Sequence, residues 1–159
     1  MRRFITTLGV VGLLGGAAGV ALAATPAANT NFSGSGGNYW NQSGSWARHG
    51  TAHFTMLTSR RYYTGLNTYK VYIKKFAGNY STACHGTLRI AATFIPVRKD
   101  GSFGFSFSKN GARVKIFGNF TSSRQANVQY VANFSGTNTN PSTLNARCAT
   151  WVHGTARAS

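Results

Sequence analysis

The sequence predicts an all-β protein: an antiparallel β-sandwich of seven or eight strands, with a closed β-barrel as the alternative. Three observations lead there. Apolar and polar residues alternate with period two through much of the region beyond residue 38, which sends successive side chains to opposite faces of an extended segment. No stretch of that region keeps an apolar face at helical spacing. Turn residues, above all Asp100-Gly101 and Asn110-Gly111, punctuate the alternation at intervals suited to short strands.

The elements follow in order. A strand near Asn38 to Trp46 brings the count to eight, and the next lies near His53 to Thr58. Tyr69, Val71 and Ile73 then point one way while Lys70, Tyr72 and Lys74 point the other. Leu88, Ile90, Ala92 and Phe94 oppose Thr87, Arg89, Ala91 and Thr93 in the same manner. Phe103, Phe105 and Phe107 share one face between the two turn dipeptides, whose Asp, Asn and Gly tolerate the positive φ of primed turns. Val114, Ile116, Gly118 and Phe120 form the inner face of the following strand, with Arg113 and Lys115 outward. From Arg124 to Phe134, Ala126, Val128, Tyr130 and Ala132 alternate with polar residues, and a last strand runs from Ala149 to Ala156. Asn138 to Ser142 reads as a polar, Pro-containing loop.

Upstream of this domain lies a leader. Met1-Arg2-Arg3 is a short basic start, Phe4 to Leu22 is apolar, and Ala21-Leu22-Ala23 has the small-x-small form that signal peptidase cuts. Residues 1–23 are expected to be a signal peptide cleaved after Ala23, a retained membrane anchor being the alternative. Residues 24–37, rich in Gly, Ser, Asn and Ala, read as a flexible tether, leaving 38–159 as a single β-sandwich domain. Export puts the protein outside the cell, in the periplasm or at the cell surface. There Cys84 and Cys148, the only cysteines, are expected to form a disulfide.

Charge then decides which chemistry is open. The chain has 17 Lys and Arg against one acid, Asp100, for a formal charge of +16, which falls to +14 when Arg2 and Arg3 leave with the signal peptide. A single carboxylate excludes two-carboxylate glycoside hydrolysis, an aspartic dyad and an oxygen-rich Ca²⁺ or Mg²⁺ cage within one chain. A Ser-His-Asp triad could draw only on Asp100, which already has a role as a turn residue. Zinc has a drawable set in His49, His53, Cys84, His85, Cys148 and His153, but the spacing fits poorly and the cysteines are assigned to a disulfide. No catalytic residue, metal ligand or cofactor is therefore expected.

Binding is what remains. A cationic domain without internal acids attracts polymers of phosphate, sulfate or carboxylate in a salt-dependent way. The expected polyanion-binding residues are Arg60, Arg61, Lys70, Lys74, Lys75, Arg98, Lys99, Arg113 and Lys115. Aromatics interleave with them in Arg60-Arg61-Tyr62-Tyr63 and from Tyr69 to Phe76, a mixture that suits bases or sugar rings. The partner would be a cell-wall polymer, an acidic polysaccharide or extracellular nucleic acid. The alternative is a structural envelope or matrix protein with a protein partner, and after it a small zinc protein. Trp40, Trp46 and Trp151 either fill the core or face a ligand.

Asp100-Gly101-Ser102-Phe103, the strand Val114-Lys115-Ile116-Phe117-Gly118-Asn119-Phe120, and Cys148 followed by Trp151 and Ala156-Arg157 form an ordered set. In that set the chain resembles small exported bacterial proteins of uncharacterised function. The resemblance covers under half of the mature chain; it implies a compact β-sandwich and transfers no active site.

Overall fold

A computed structural model describes residues 24–42, 45–66, 68–109, 111–144 and 148–159. Segment 1–23, expected to be a signal peptide, and Asn110 of the second turn dipeptide lie outside the described residues. Eight strands make up the described fold: β1 (Asn31–Gln42), β2 (Ser45–Tyr63), β3 (Thr68–Thr82), β4 (Gly86–Pro96), β5 (Ser102–Lys109), β6 (Ala112–Ser122), β7 (Gln125–Asn133) and β8 (Ala149–Ala158). All pair antiparallel in one sheet of order β4-β3-β2-β1-β8-β7-β6-β5. The all-β expectation holds, and the single sheet takes the form of its barrel alternative.

Curling brings the sheet's two outer strands together. Val97 and Phe103 form an antiparallel bridge, and the Arg98 amide donates to the Ser102 carbonyl at 2.8 Å. Beyond that bridge no ladder joins β4 to β5 among the described residues, so the barrel is nearly closed, with a seam. Asp100 secures the turn at this seam: its Oδ1 accepts from the Ser102 amide at 2.9 Å and the Ser102 hydroxyl at 2.6 Å. Those two bonds, with Arg98 nearby, hold its carboxyl below the ordinary carboxylate range. The next residue, Gly101, adopts φ +73°, which costs glycine nothing.

The alternation expected from sequence runs apolar-in and polar-out, the reverse of a lipid-facing barrel. Phe32, Phe54, Met56, Ile73, Phe76, Ile116, Phe120, Val128 and Tyr130 are buried to within 2 % and fill the interior. An eight-stranded barrel is just wide enough for such filling, and each large ring contributes roughly 2–3 kcal/mol by leaving water. Tyr130 sits at the centre, edge-on to Phe54 and Phe76, and donates its hydroxyl to the Asn79 carbonyl.

Burial, with Tyr80 beside it, pushes the Tyr130 hydroxyl far above the ordinary tyrosine value of 10.0. A group whose folded pKa is raised contributes stability that is complete below the unfolded value and is lost as pH rises past it. The unfolding free energy should therefore decline above about pH 10, with a slope of up to about 1.4 kcal/mol per pH unit in denaturant titrations. The Tyr130→Phe variant should show a shallower decline; identical profiles for the two proteins would refute the assignment.

Two expectations from sequence are corrected here. The stretch 24–37 is not a flexible tether throughout, because β1 starts at Asn31 and pairs with β2 and β8 along its length. Its glycines serve close approach of backbones: a Cβ at Gly34 would collide with the Thr155 carbonyl, and one at Gly154 with the Ser35 carbonyl. The segment before β1 is held as well, with the Ala27 amide donating to the Ser123 carbonyl at 2.9 Å and the Thr58 hydroxyl to the Ala27 carbonyl at 2.6 Å. The second correction concerns Phe94, expected on the inner face of β4. It is 50 % exposed, and the buried position passes to Ile95.

The end of the barrel opposite the seam turn is closed by Cys84–Cys148, whose Cα atoms lie 5.6 Å apart. This expected bond joins the β3–β4 turn to the start of β8. Asn38 supports the same end from within: its side chain donates to the Ser81 carbonyl at 3.1 Å and accepts from the Ser81 amide at 3.0 Å.

Candidate functional site

At the other end the β2–β3 hairpin projects beyond both of its neighbours. Pairing with β1 reaches only the Asn31–Leu57 pair, and pairing with β4 ends at Tyr72–Pro96. Residues 59–63 and 68–71 therefore extend past the ladders with β1 and β4, paired with each other. The hairpin faces the β4–β5 turn across a groove of about 760 Å³. Arg60 and Lys70 line one side, Arg98 and Lys99 the other, with Pro26, Tyr63 and Tyr72 among the remaining lining residues.

Register sets which side chains of the hairpin share a face. Arg61 pairs with Lys70 and Arg60 with Val71, so the two arginines leave β2 on opposite faces at the level of Lys70. The Arg61 guanidinium carbon lies 5.3 Å from the Phe94 ring centre and 5.9 Å from that of Tyr63. The Lys70 ammonium lies 5.4 Å from the Tyr63 ring. Phe94 in turn stacks on Tyr72 with ring centres 4.6 Å apart and planes 22° apart. Cations and aromatic rings thus alternate across the outer face of three strands.

Phe94 reaches this surface through an unusual backbone. Its φ is +61°, a left-handed conformation that costs a bulky residue roughly 1–2 kcal/mol. Opposite it, Lys74 lies between the register pairs Ile73–Ile95 and Lys75–Thr93, and β3 also shifts register against β2 here. The paired irregularity reverses which side chains face inward and turns the phenyl ring out of the barrel.

The nine expected binding residues divide accordingly. Arg60, Lys70, Arg98 and Lys99 line the groove, and Arg61 caps its aromatic face. Lys74 and Lys75 are exposed and continue the positive track along β3 beside Phe94. Arg113 and Lys115 lie on the other half of the barrel. Arg113 is exposed near the β5–β6 turn, and Lys115 lies 5.0 Å over the Phe117 ring. Tyr63 and Tyr72 belong to segments whose aromatic and cationic interleaving marks them in the sequence. Phe94, Pro26 and Pro96 carry no such mark.

The remaining candidate groups have other occupations. Trp46 and Trp151 are half-buried on the outer face; Trp46 donates to the Pro141 carbonyl at 2.9 Å, which fastens the β7–β8 connection to the sheet, and Trp151 donates to Gln129 Oε1 at 3.1 Å. Trp40 is half-buried near the disulfide end and donates to the Ser81 carbonyl at 2.6 Å. None of the three is part of the buried barrel core. Three of the four imidazoles pack on aromatic rings: His49 stacks on Trp40, His153 on Tyr39, and His85 lies against Phe134. Among the described residues no three His, Cys, Asp or Glu side chains come together as a metal site, and none of the helices is long and apolar enough to cross a membrane. No family model, curated protein or solved structure matches the chain.

Proposed function

We propose that this is an exported, non-enzymatic binding protein that engages a polyanion through the groove and the projecting hairpin. One observation carries the reading: four cations converge on a single groove, with a fifth capping its aromatic face, in a chain whose only acidic side chain is committed to a turn. Charges grouped this way focus the field into the cleft and concentrate anions there. The oxidised cysteine pair supports a working place outside the cytosol. A repeating chain of phosphates or carboxylates matches a track running from Lys75 past Phe94 to Lys99. Cell-wall polymer, acidic polysaccharide and extracellular nucleic acid all have that form.

The seam favours one other reading. Beyond the Val97–Phe103 bridge, β4 and β5 present strand edges, which suit pairing with a protein partner in an envelope or matrix. Cosedimentation with DNA and with a sulfated polysaccharide across a salt series separates the two. Binding that falls steeply with rising salt supports the polyanion. Association with envelope extract that is indifferent to salt, with neither polymer retained, would replace it with the protein partner.

A further inference from the structure

Within the class of polyanions, the groove has chemical features that select among backbones. We propose that its ligand is single-stranded nucleic acid, with phosphates on the cations and bases stacked against the outward rings; this rests on the polyanion reading above.

The first observation is the strained, exposed Phe94. A phenylalanine in left-handed conformation on a strand persists only where its surroundings impose it, and such outliers gather at functional sites. Here the strain has one visible product. It places a ring in near-parallel stacking with Tyr72, beside the planar guanidinium of Arg61, on a surface otherwise built of cations. Flat π-faces among positive charges are how proteins hold unpaired bases without reading their sequence.

The second observation is the hydrogen-bonding character of the lining. Arg60, Lys70, Arg98 and Lys99 are donors only, and the side-chain acceptors of the lining are limited to the hydroxyls of Thr25, Tyr63 and Tyr72. A phosphodiester oxygen is purely an acceptor, so such a wall satisfies it. Sugar hydroxyls are donors as well, and a polysaccharide would bury many of them against side chains that offer little in return. Duplex DNA would satisfy the cations but hides its base faces from Phe94 and Tyr72. An unpaired strand uses both features.

The test compares a thymidine oligonucleotide with an abasic oligonucleotide of equal length and charge, by fluorescence anisotropy with the full oxidised protein. The wild type should bind the thymidine strand about tenfold more tightly, the worth of one stacked base. Phe94→Gly removes the ring and also relieves the left-handed strain, so its fold is not put at risk. It should bring the thymidine preference down toward equality, since only the Tyr72 ring then remains for stacking. Equal affinity of the wild type for the two strands would overturn the base-stacking proposal and leave the polyanion reading standing. Stronger binding to polygalacturonate at matched charge would overturn it in favour of acidic sugars. Failure to bind any of the three probes would overturn the polyanion reading itself.

Discussion

Replacing Arg60, Lys70, Arg98 and Lys99 together by glutamine is expected to weaken polyanion binding by about 600-fold at ~0.1 M monovalent salt. The figure follows from counterion release. On a single strand each neutralised phosphate contributes about 0.7 to the slope of log affinity against log salt, so four contacts are worth nearly three decades at that concentration. The slope itself should become shallower by about 3. A control quartet, Arg48, Arg89, Lys109 and Arg113, lies in exposed positions toward the opposite end or half of the barrel. Changing those four to glutamine alters net charge equally. Equal loss from both quartets would mean that diffuse attraction, and not the groove, holds the polymer.

Removing the disulfide has the largest expected effect on the fold. Cys84 and Cys148 are separated by 64 positions, and the entropy of closing a loop of that size corresponds to about 4 kcal/mol. The paired Cys84→Ala and Cys148→Ala substitutions should lower the melting temperature by roughly 10–15 °C for a domain of this size. Because the bond sits at the end opposite the groove, the double variant should retain its affinity for the polymer below its melting point. A melting temperature within about 2 °C of the wild type would show that the reduced chain is already held by the β1–β8 and β7–β8 ladders alone.

Most of the fold can be read from side-chain alternation where side chains exist to alternate. Tyr130, Val128 and Ala126 announce the inner face of β7, and the Asp100-Gly101 turn occurs where its dipeptide places it. β1 escapes the same reading because Gly34, Gly36 and Gly37 carry no pattern. The chemistry that makes a glycine run look like a tether also lets two backbones meet closely. Phe94 escapes for a different reason. Phe94 and Ile95 are adjacent apolar residues, and only the register against β3 decides which one turns inward. The site is legible as charge and aromatic composition but not as geometry. Arg60 and Arg98 converge because β2 and β3 overshoot β1 and β4 while the sheet curls to meet at Val97 and Phe103, and both facts belong to long-range pairing.

That pairing also has a kinetic side. Six of the seven ladders join strands adjacent in sequence, so β1 to β4 and β5 to β8 are two local meanders that need little chain closure to form. The seventh, β1 with β8, joins residues near the two ends of the described chain, such as Phe32 with Ala158. The search cost of folding is concentrated in this one encounter. The glycines that let β1 and β8 lie against each other therefore mark the step at which two half-barrels become one molecule.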